Sequence, residues 1–275
     1  MTDQPRTASR EHRIPGAGVT LAVTEYSGDG PPLVLVHGIG TRGVSWWPVI
    51  DDLAARFQVY ALDQRGHGAS DKPAAGYLLA DYAADLAAVI AALALDRPAV
   101  IGHSLGALVA LSWASDHPSG SRALVVEDPA LRPRPEILQA FDGWLELAAM
   151  PVSEVVAYYG AEHPDWTADD CRRRAESITA TAPAVFAELR ADTARRLIDG
   201  GDRIAEMSTI DVPTLLIHGD AAAGSMAMLE DVARFATEVP GARTVRVPGA
   251  PHDIHRERPT EFLAVVMPFL ERVGQ

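Results

Sequence analysis

A serine flanked at spacing two by glycines, Gly102-His103-Ser104-Leu105-Gly106, follows the apolar run Ala99 to Ile101 and opens a segment rich in alanine and leucine. In a strand–turn–helix setting the two glycines let the chain reverse so sharply that the Ser104 side chain stays exposed. The helix that begins at Leu105 then points its free amides and positive dipole end at any oxyanion formed beside Ser104. The plain alternative is a serine that only caps the helix. A serine hydroxyl is a weak nucleophile by itself, so the chemistry needs a histidine as base and an acid to orient it. The chain has nine histidines and a single cysteine, Cys171, which excludes an internal disulfide and any cysteine-based metal centre.

The elements that would hold this serine are legible on both sides of it. From Pro31 to about Glu127, short β-branched runs alternate with longer alanine-rich segments: PPLVLVHG, SWWPVIDDLAARF, QVYALD, DYAADLAAVIAALAL, RPAVIGHS, LGALVALSWASDHP and RALVVEDP. They read as strand, helix, strand, helix, strand, helix and strand. The strand runs are continuously apolar, as in a parallel sheet covered on both faces. An alternating stretch, Val19 to Tyr26, predicts an antiparallel edge strand before them. The pattern resumes with VPTLLIHGD, SMAMLEDVARFATEV, ARTVRVPGA and RPTEFLAVVMPFLERV. The fold class is therefore α/β, a mostly parallel, doubly wound sheet of about eight strands. Between the halves the strand signal vanishes. Residues 129–209 carry helical patterning, several prolines and the aromatics Phe141, Trp144, Tyr158, Tyr159, Trp166 and Phe186, which predicts an inserted helical cap. The expected organisation is a flexible tail over residues 1–13, a core over 14–128 and 210–275, and the cap between them.

Four motifs together resemble the α/β-hydrolase fold superfamily. They are Val36-His37-Gly38-Ile39-Gly40 after the first parallel strand, Asp63-Gln64-Arg65-Gly66-His67-Gly68-Ala69-Ser70 after the second, the turn at Ser104, and Gly249-Ala250-Pro251-His252 near the end. The resemblance implies a serine, acid, histidine triad in that chain order. It implies His252 as the base, with His255 as the local rival. The acid stays open. The usual Gly-x-x-Asp after the seventh strand reads Gly219-Asp220-Ala221-Ala222 here, so Ala222 stands at the family's position. The fold's second location, after the sixth strand, reads Glu127-Asp128-Pro129. Asp128 is the preferred acid, with Glu127 and Asp220 as alternatives. The oxyanion hole is expected from the backbone amides of Ile39 and Leu105. His103, Trp47, Trp144 and Tyr158 are the expected pocket residues, and the Asp63 to Ser70 segment is read as structural.

The 275 residues carry 37 acids against 24 bases, a net charge of −13, which opposes nucleic acid and the anionic face of a membrane. The N-terminus has no apolar run and reads as neither signal peptide nor anchor. A small, largely apolar molecule is the expected partner, with a monomer or homodimer in a reducing cytoplasm and no metal or cofactor. The expected activity is a serine hydrolase that cleaves a carboxylic ester or lactone through an acyl-enzyme on Ser104, with lactonase-like relatives slightly favoured. A carbon–carbon bond hydrolase is the alternative within enzymes, and a non-catalytic ligand receptor the alternative outside them.

Overall fold

The computed structural model describes residues 7–273. In chain order the elements are β1 (Ser9–Pro15), β2 (Thr20–Tyr26), β3 (Pro32–Val36), α1 (Ile50–Ala54), β4 (Gln58–Asp63), α2 (Leu79–Ala92), β5 (Ala99–His103), α3 (Leu105–Asp116) and β6 (Ala123–Glu127). They continue with α4 (Pro135–Ala149), α5 (Val152–Glu162), α6 (Ala168–Thr179), α7 (Pro183–Asp199), α8 (Arg203–Glu206), β7 (Thr214–His218), α9 (Leu229–Glu238), β8 (Ala242–Arg246), α10 (Ile254–Glu257) and α11 (Pro259–Val273). The sheet runs β1-β2-β4-β3-β5-β6-β7-β8. β1 and β2 are antiparallel to their neighbours, and the six strands from β4 to β8 across the sheet are parallel.

The continuous apolar runs follow from burial on both faces. Along β3, Leu33 and Leu35 join one hydrophobic cluster with α1 and α11, while Val34 and Val36 join the other with α2 and α3. Successive side chains in a strand face opposite ways, so a strand covered on both sides must be apolar at every position. The chain winds to one side of β3 for β4 and to the other for β5, which opens a crevice at the carboxyl ends of β3 and β5, the usual ligand position in open α/β sheets.

Two expectations about local structure need correction. Ser9 to Arg13, expected as part of a flexible tail, form most of β1, paired antiparallel from Ser9↔Tyr26 to Pro15↔Thr20. The strand is hidden in the sequence because it is an outer strand rich in charge, with only Ile14 buried, and charged residues are how exposed sheet edges are kept from pairing further. β2 is therefore antiparallel, as expected, but inside the sheet. The start of the tail, residues 1–6, lies outside the described residues. The helix read over Ser45 to Phe57 is interrupted: a 3₁₀ turn at Gly43–Trp46 is followed by only five α-helical residues, and Pro48 between them lacks the N–H that a continuous helix requires. Trp46 faces the core, fully buried, and Trp47 does not.

Between β6 and β7 the chain is helical throughout α4 to α8. Phe141, Tyr159 and Phe186 are buried there, whereas Tyr158 is 43% exposed.

The Asp63 to Ser70 segment ties loops together. Arg65 is buried and forms a bidentate pair with Asp85, at 2.6 Å from Nε and 2.8 Å from Nη2, and also donates to the Gly76 and Ala17 carbonyls. Removing one partner of a buried pair leaves an uncompensated charge. Asp85→Ala is expected to destabilise the fold by about 3–5 kcal/mol, read as a lower urea midpoint. A loss below about 1 kcal/mol, the range of exposed pairs, would contradict that role.

Candidate active site

Ser104 stands between the last residue of β5 and the first of α3, at φ 52° and ψ −113°. A non-glycine residue with positive φ is strained, and such strain collects where a side chain must be presented. The flanking glycines permit the turn by close approach. A Cβ on Gly106 would lie 2.1 Å from the Val36 carbonyl oxygen, and one on Gly102 would lie 2.3 Å from that of Gly106. The Ser104 N–H donates to the Glu127 carbonyl at 2.9 Å, which ties the turn to the tip of β6. Its hydroxyl has no hydrogen-bond partner among the described residues and opens on a cavity of about 70 Å³.

Asp128 follows β6 directly, with φ 48°, and its side chain is fully buried. Its N–H donates to Ile217 of β7 at 2.8 Å. Its carboxylate accepts from Ser225 Oγ at 2.5 Å, the Met226 amide at 2.7 Å and His252 Nδ1 at 2.7 Å. Burial pushes the Asp128 pKa up, but the bond and charge of His252, with those from Ser225 and Met226, bring it below the ordinary carboxylate value. For His252, burial acts downward, and the Asp128 bond and charge outweigh it, so its pKa is raised above 6.5. With Nδ1–H held by Asp128, Nε2 is left as the proton acceptor, the tautomer a general base requires.

The rival acids have other partners. Glu127, also fully buried, accepts from His255 through Nδ1 at 2.8 Å and through its amide at 2.9 Å. The rival base and one rival acid thus hold each other, and the His255 ring packs on Trp46 with centroids 4.0 Å apart. Asp220 pairs with Arg246 and accepts from the Gly249 amide at 2.8 Å, which lowers its pKa to about 2. It braces the loop that leads to His252. Ala222, at the family's usual acid position, lies exposed in a 3₁₀ turn.

Ile39 and Leu105 are among the residues that line the Ser104 cavity, and neither amide donates a backbone hydrogen bond among the described residues. Two buried histidines hold the loop carrying Ile39. His67 donates from Nδ1 to the Arg65 carbonyl at 2.9 Å and accepts from the Gly40 amide at 3.2 Å through Nε2. His37 accepts from the Gln64 amide at 3.0 Å. Burial depresses His37 to about 4 and His67 to about 3, so both rings are neutral near pH 7 and able to accept.

The expected pocket residues fall on three neighbouring cavities. Trp144 lines the Ser104 cavity and also an adjoining one that contains His252 and Tyr158. His103 and Trp47 do not line the Ser104 cavity; they share a smaller one with Arg173, Arg174 and Arg256. The reason for His103 is local. It is the last residue of β5, is buried, and donates from Nε2 to the His252 carbonyl at 3.2 Å, so it supports the loop that carries His252. The structure joins His252 to Asp128 and ties the Ser104 amide to Glu127, the residue before Asp128. Ser104 and His252 line different cavities, both bordered by Trp144, with no hydrogen bond between the two side chains among the described residues. Sequence reading missed Leu79, Ile137, Phe141, Leu189, Met226 and Arg203 as lining residues. Ile137, Phe141 and Trp144 recur at helical spacing along α4 and could have been found; Leu79 and Arg203 carry no local signal. Among the described residues no cluster of three histidine, cysteine or acidic side chains is set to hold a metal ion, and no helix is long and apolar enough to cross a membrane.

A parallel sheet with a strained serine at a strand–helix turn, a buried acid after the neighbouring strand and a histidine hydrogen-bonded to it from the loop after the last strand has clear counterparts. The sequence profile of the alpha/beta hydrolase fold family matches residues 31–151. The 2-(acetamidomethylene)succinate hydrolase of Mesorhizobium japonicum is 32% identical over 268 residues, which cover 94% of each chain. The crystal structure of E-2-(acetamidomethylene)succinate hydrolase superposes with a TM-score of 0.82 at 28% identity, covering 96% of this chain and 100% of that one. That of an N-formylmaleamic acid deformylase from Pseudomonas putida does so with a TM-score of 0.77 at 25% identity, covering 94% and 100%. The chain belongs to the α/β hydrolase fold family. It is a hydrolase.

Proposed function

We propose that the protein hydrolyses small acyl compounds through an acyl-enzyme on Ser104, with His252 as general base and Asp128 as its orienting acid. The observation that carries this reading is the 2.7 Å bond from His252 Nδ1 to a fully buried Asp128, one strand away from a serine held at φ 52°. His252 Nε2 takes the Ser104 proton as Oγ attacks the carbonyl carbon. The amides of Ile39 and Leu105 receive the developing oxyanion, and His252 returns the proton to the leaving group. Water, deprotonated by His252, then attacks the acyl-enzyme and releases the acid.

The sequence favours an ester or lactone as the scissile bond. The two relatives named above are, by name, a hydrolase of 2-(acetamidomethylene)succinate and a deformylase of N-formylmaleamic acid, compounds that each contain an amide-type bond, which adds that bond to the candidates. All of these are acyl transfers to water and use the same groups. A fluorophosphonate probe tests the reading: stoichiometric labelling at Ser104 is expected, together with turnover of at least one class among short para-nitrophenyl esters, lactones, N-formyl amides and N-acyl enamides. An intact protein that resists the probe while control hydrolases label, and that turns over none of these, is not an acyl hydrolase. Turnover confined to a β-diketone substrate would instead favour the carbon–carbon reading.

A further inference from the structure

Arg203 opens α8, the last short helix before β7, and its side chain is 8% exposed. A guanidinium stays charged at any ordinary pH, and burying it is costly unless its donors are used. Here they are not. Nη2 is 3.5 Å from Asp192, and Nη1 is buried with no hydrogen-bond partner. Asp192 is itself shared, at 2.6 Å from Arg195 and 3.1 Å from Arg196. The other acids nearby, Asp199 and Glu206, are more than half exposed and pair with Arg195 and Arg196. Burial, with the charge of Arg196, pulls the Arg203 pKa down, as expected for a cation short of compensation.

This same residue lines the cavity on which Ser104 opens. Most of the lining is apolar, with Leu79, Ile137, Phe141, Trp144 and Leu189 among it, and Arg203 is its one charged residue among the described residues. A cavity with a nucleophile, apolar walls and an incompletely paired buried cation is complementary to an acyl group that carries its own anion. We infer that Arg203 binds a carboxylate on the acyl arm of the substrate, so that the substrate is a monoester, lactone or monoamide derived from a short dicarboxylic acid. The inference rests on the acyl-transfer reading of Ser104 and narrows its substrate class. Ser104 Oγ forms an ester with one carboxyl carbon, the leaving alcohol or amine takes the proton from His252 and departs (in a lactone it takes the proton and stays attached as a hydroxyl), and the second carboxylate remains unchanged on Arg203. Water then releases a free dicarboxylate.

The test pairs the para-nitrophenyl hemiester of glutaric acid with the neutral para-nitrophenyl valerate. The wild type is expected to favour the hemiester in kcat/KM. A hydrogen bond to a charged group accounts for a factor of about 10 to 100, so in Arg203→Met the ratio of kcat/KM on the hemiester to that on valerate should fall by that factor, chiefly through the KM of the hemiester. Arg203→Lys should fall between. Glutarate itself should bind the wild type in calorimetry and slow fluorophosphonate labelling of Ser104, and do neither in Arg203→Met. Equal losses on both esters, or a wild type with no preference and no glutarate binding, would overturn the inference; the wild-type measurements decide it even if Arg203→Met does not fold. Glutarate binding without any labelling at Ser104 would count against the nucleophile and leave the Arg203 site supported.

Discussion

Ser104→Ala is expected to lower kcat by about a million-fold, the loss seen when a serine nucleophile is removed from a working triad. The size follows from the mechanism: without Oγ there is no covalent intermediate, and His252 and Asp128 have no hydroxyl to activate. What survives comes from the oxyanion amides and from binding. KM should change little, because the Ser104 hydroxyl makes no contact that holds the cavity together. Folding should also be unharmed, since alanine keeps the backbone bond from the Ser104 amide to Glu127 at 2.9 Å. A variant with normal thermal unfolding that retains even a hundredth of wild-type kcat would remove Ser104 from the chemistry.

Asp128→Asn should cost about ten-thousand-fold in kcat, with a second signature in the pH profile. In the wild type the His252 pKa is raised above 6.5 because the Asp128 anion outweighs burial. A base works only when deprotonated, so kcat/KM should fall as pH drops through that raised value. In Asp128→Asn the largest upward effect is gone and burial is opposed only by the charges of Asp253 and Glu127, so the acid limb should move to lower pH while its plateau collapses. The neutral amide can also donate to Nδ1, which favours the tautomer with the proton on Nε2, the wrong one for a base. Asp220→Asn is the control. Its carboxylate faces Arg246 and the Gly249 amide rather than His252, so its loss should be far smaller and leave the acid limb in place. Stopped-flow or steady-state rates between pH 5 and 9 separate the two. Full activity in Asp128→Asn, or the larger loss in Asp220→Asn, would reassign the acid.

Much of this geometry can be traced to specific residues, and its limits have physical causes. The parallel strands were readable because two-sided burial leaves no polar position, as in Leu33 to Val36 and Ala99 to Ile101. β1 was not readable, because an outer strand with one buried residue has the composition of a loop. Trp46 and Trp47 are chemically identical neighbours, and only the 3₁₀ turn that ends before Pro48 sends one inward. The cap was legible as helix, but which of its residues reach Ser104 was not, since Ile137, Phe141 and Trp144 come from α4, Leu189 from α7 and Arg203 from α8.

By itself the sequence determined the class of sheet, the strand–turn–helix position of Ser104 and a short set of acids and histidines, because these depend on local periodicity and on where glycine is sterically required. Tertiary structure alone decided the pairing among them. Glu127 and Asp128 are adjacent at one strand tip, His252 and His255 are three residues apart, and local pattern is silent on which meets which. The alternation of side chains along β6 turns Glu127 into the core against His255, while the left-handed turn at Asp128 swings its carboxylate out to Ser225, Met226 and His252. The same holds for Arg203: nothing in its sequence neighbourhood marks it, and only the tertiary placement of α8, against α9 and beside Asp192 of α7, buries its charge at the cavity that Ser104 lines.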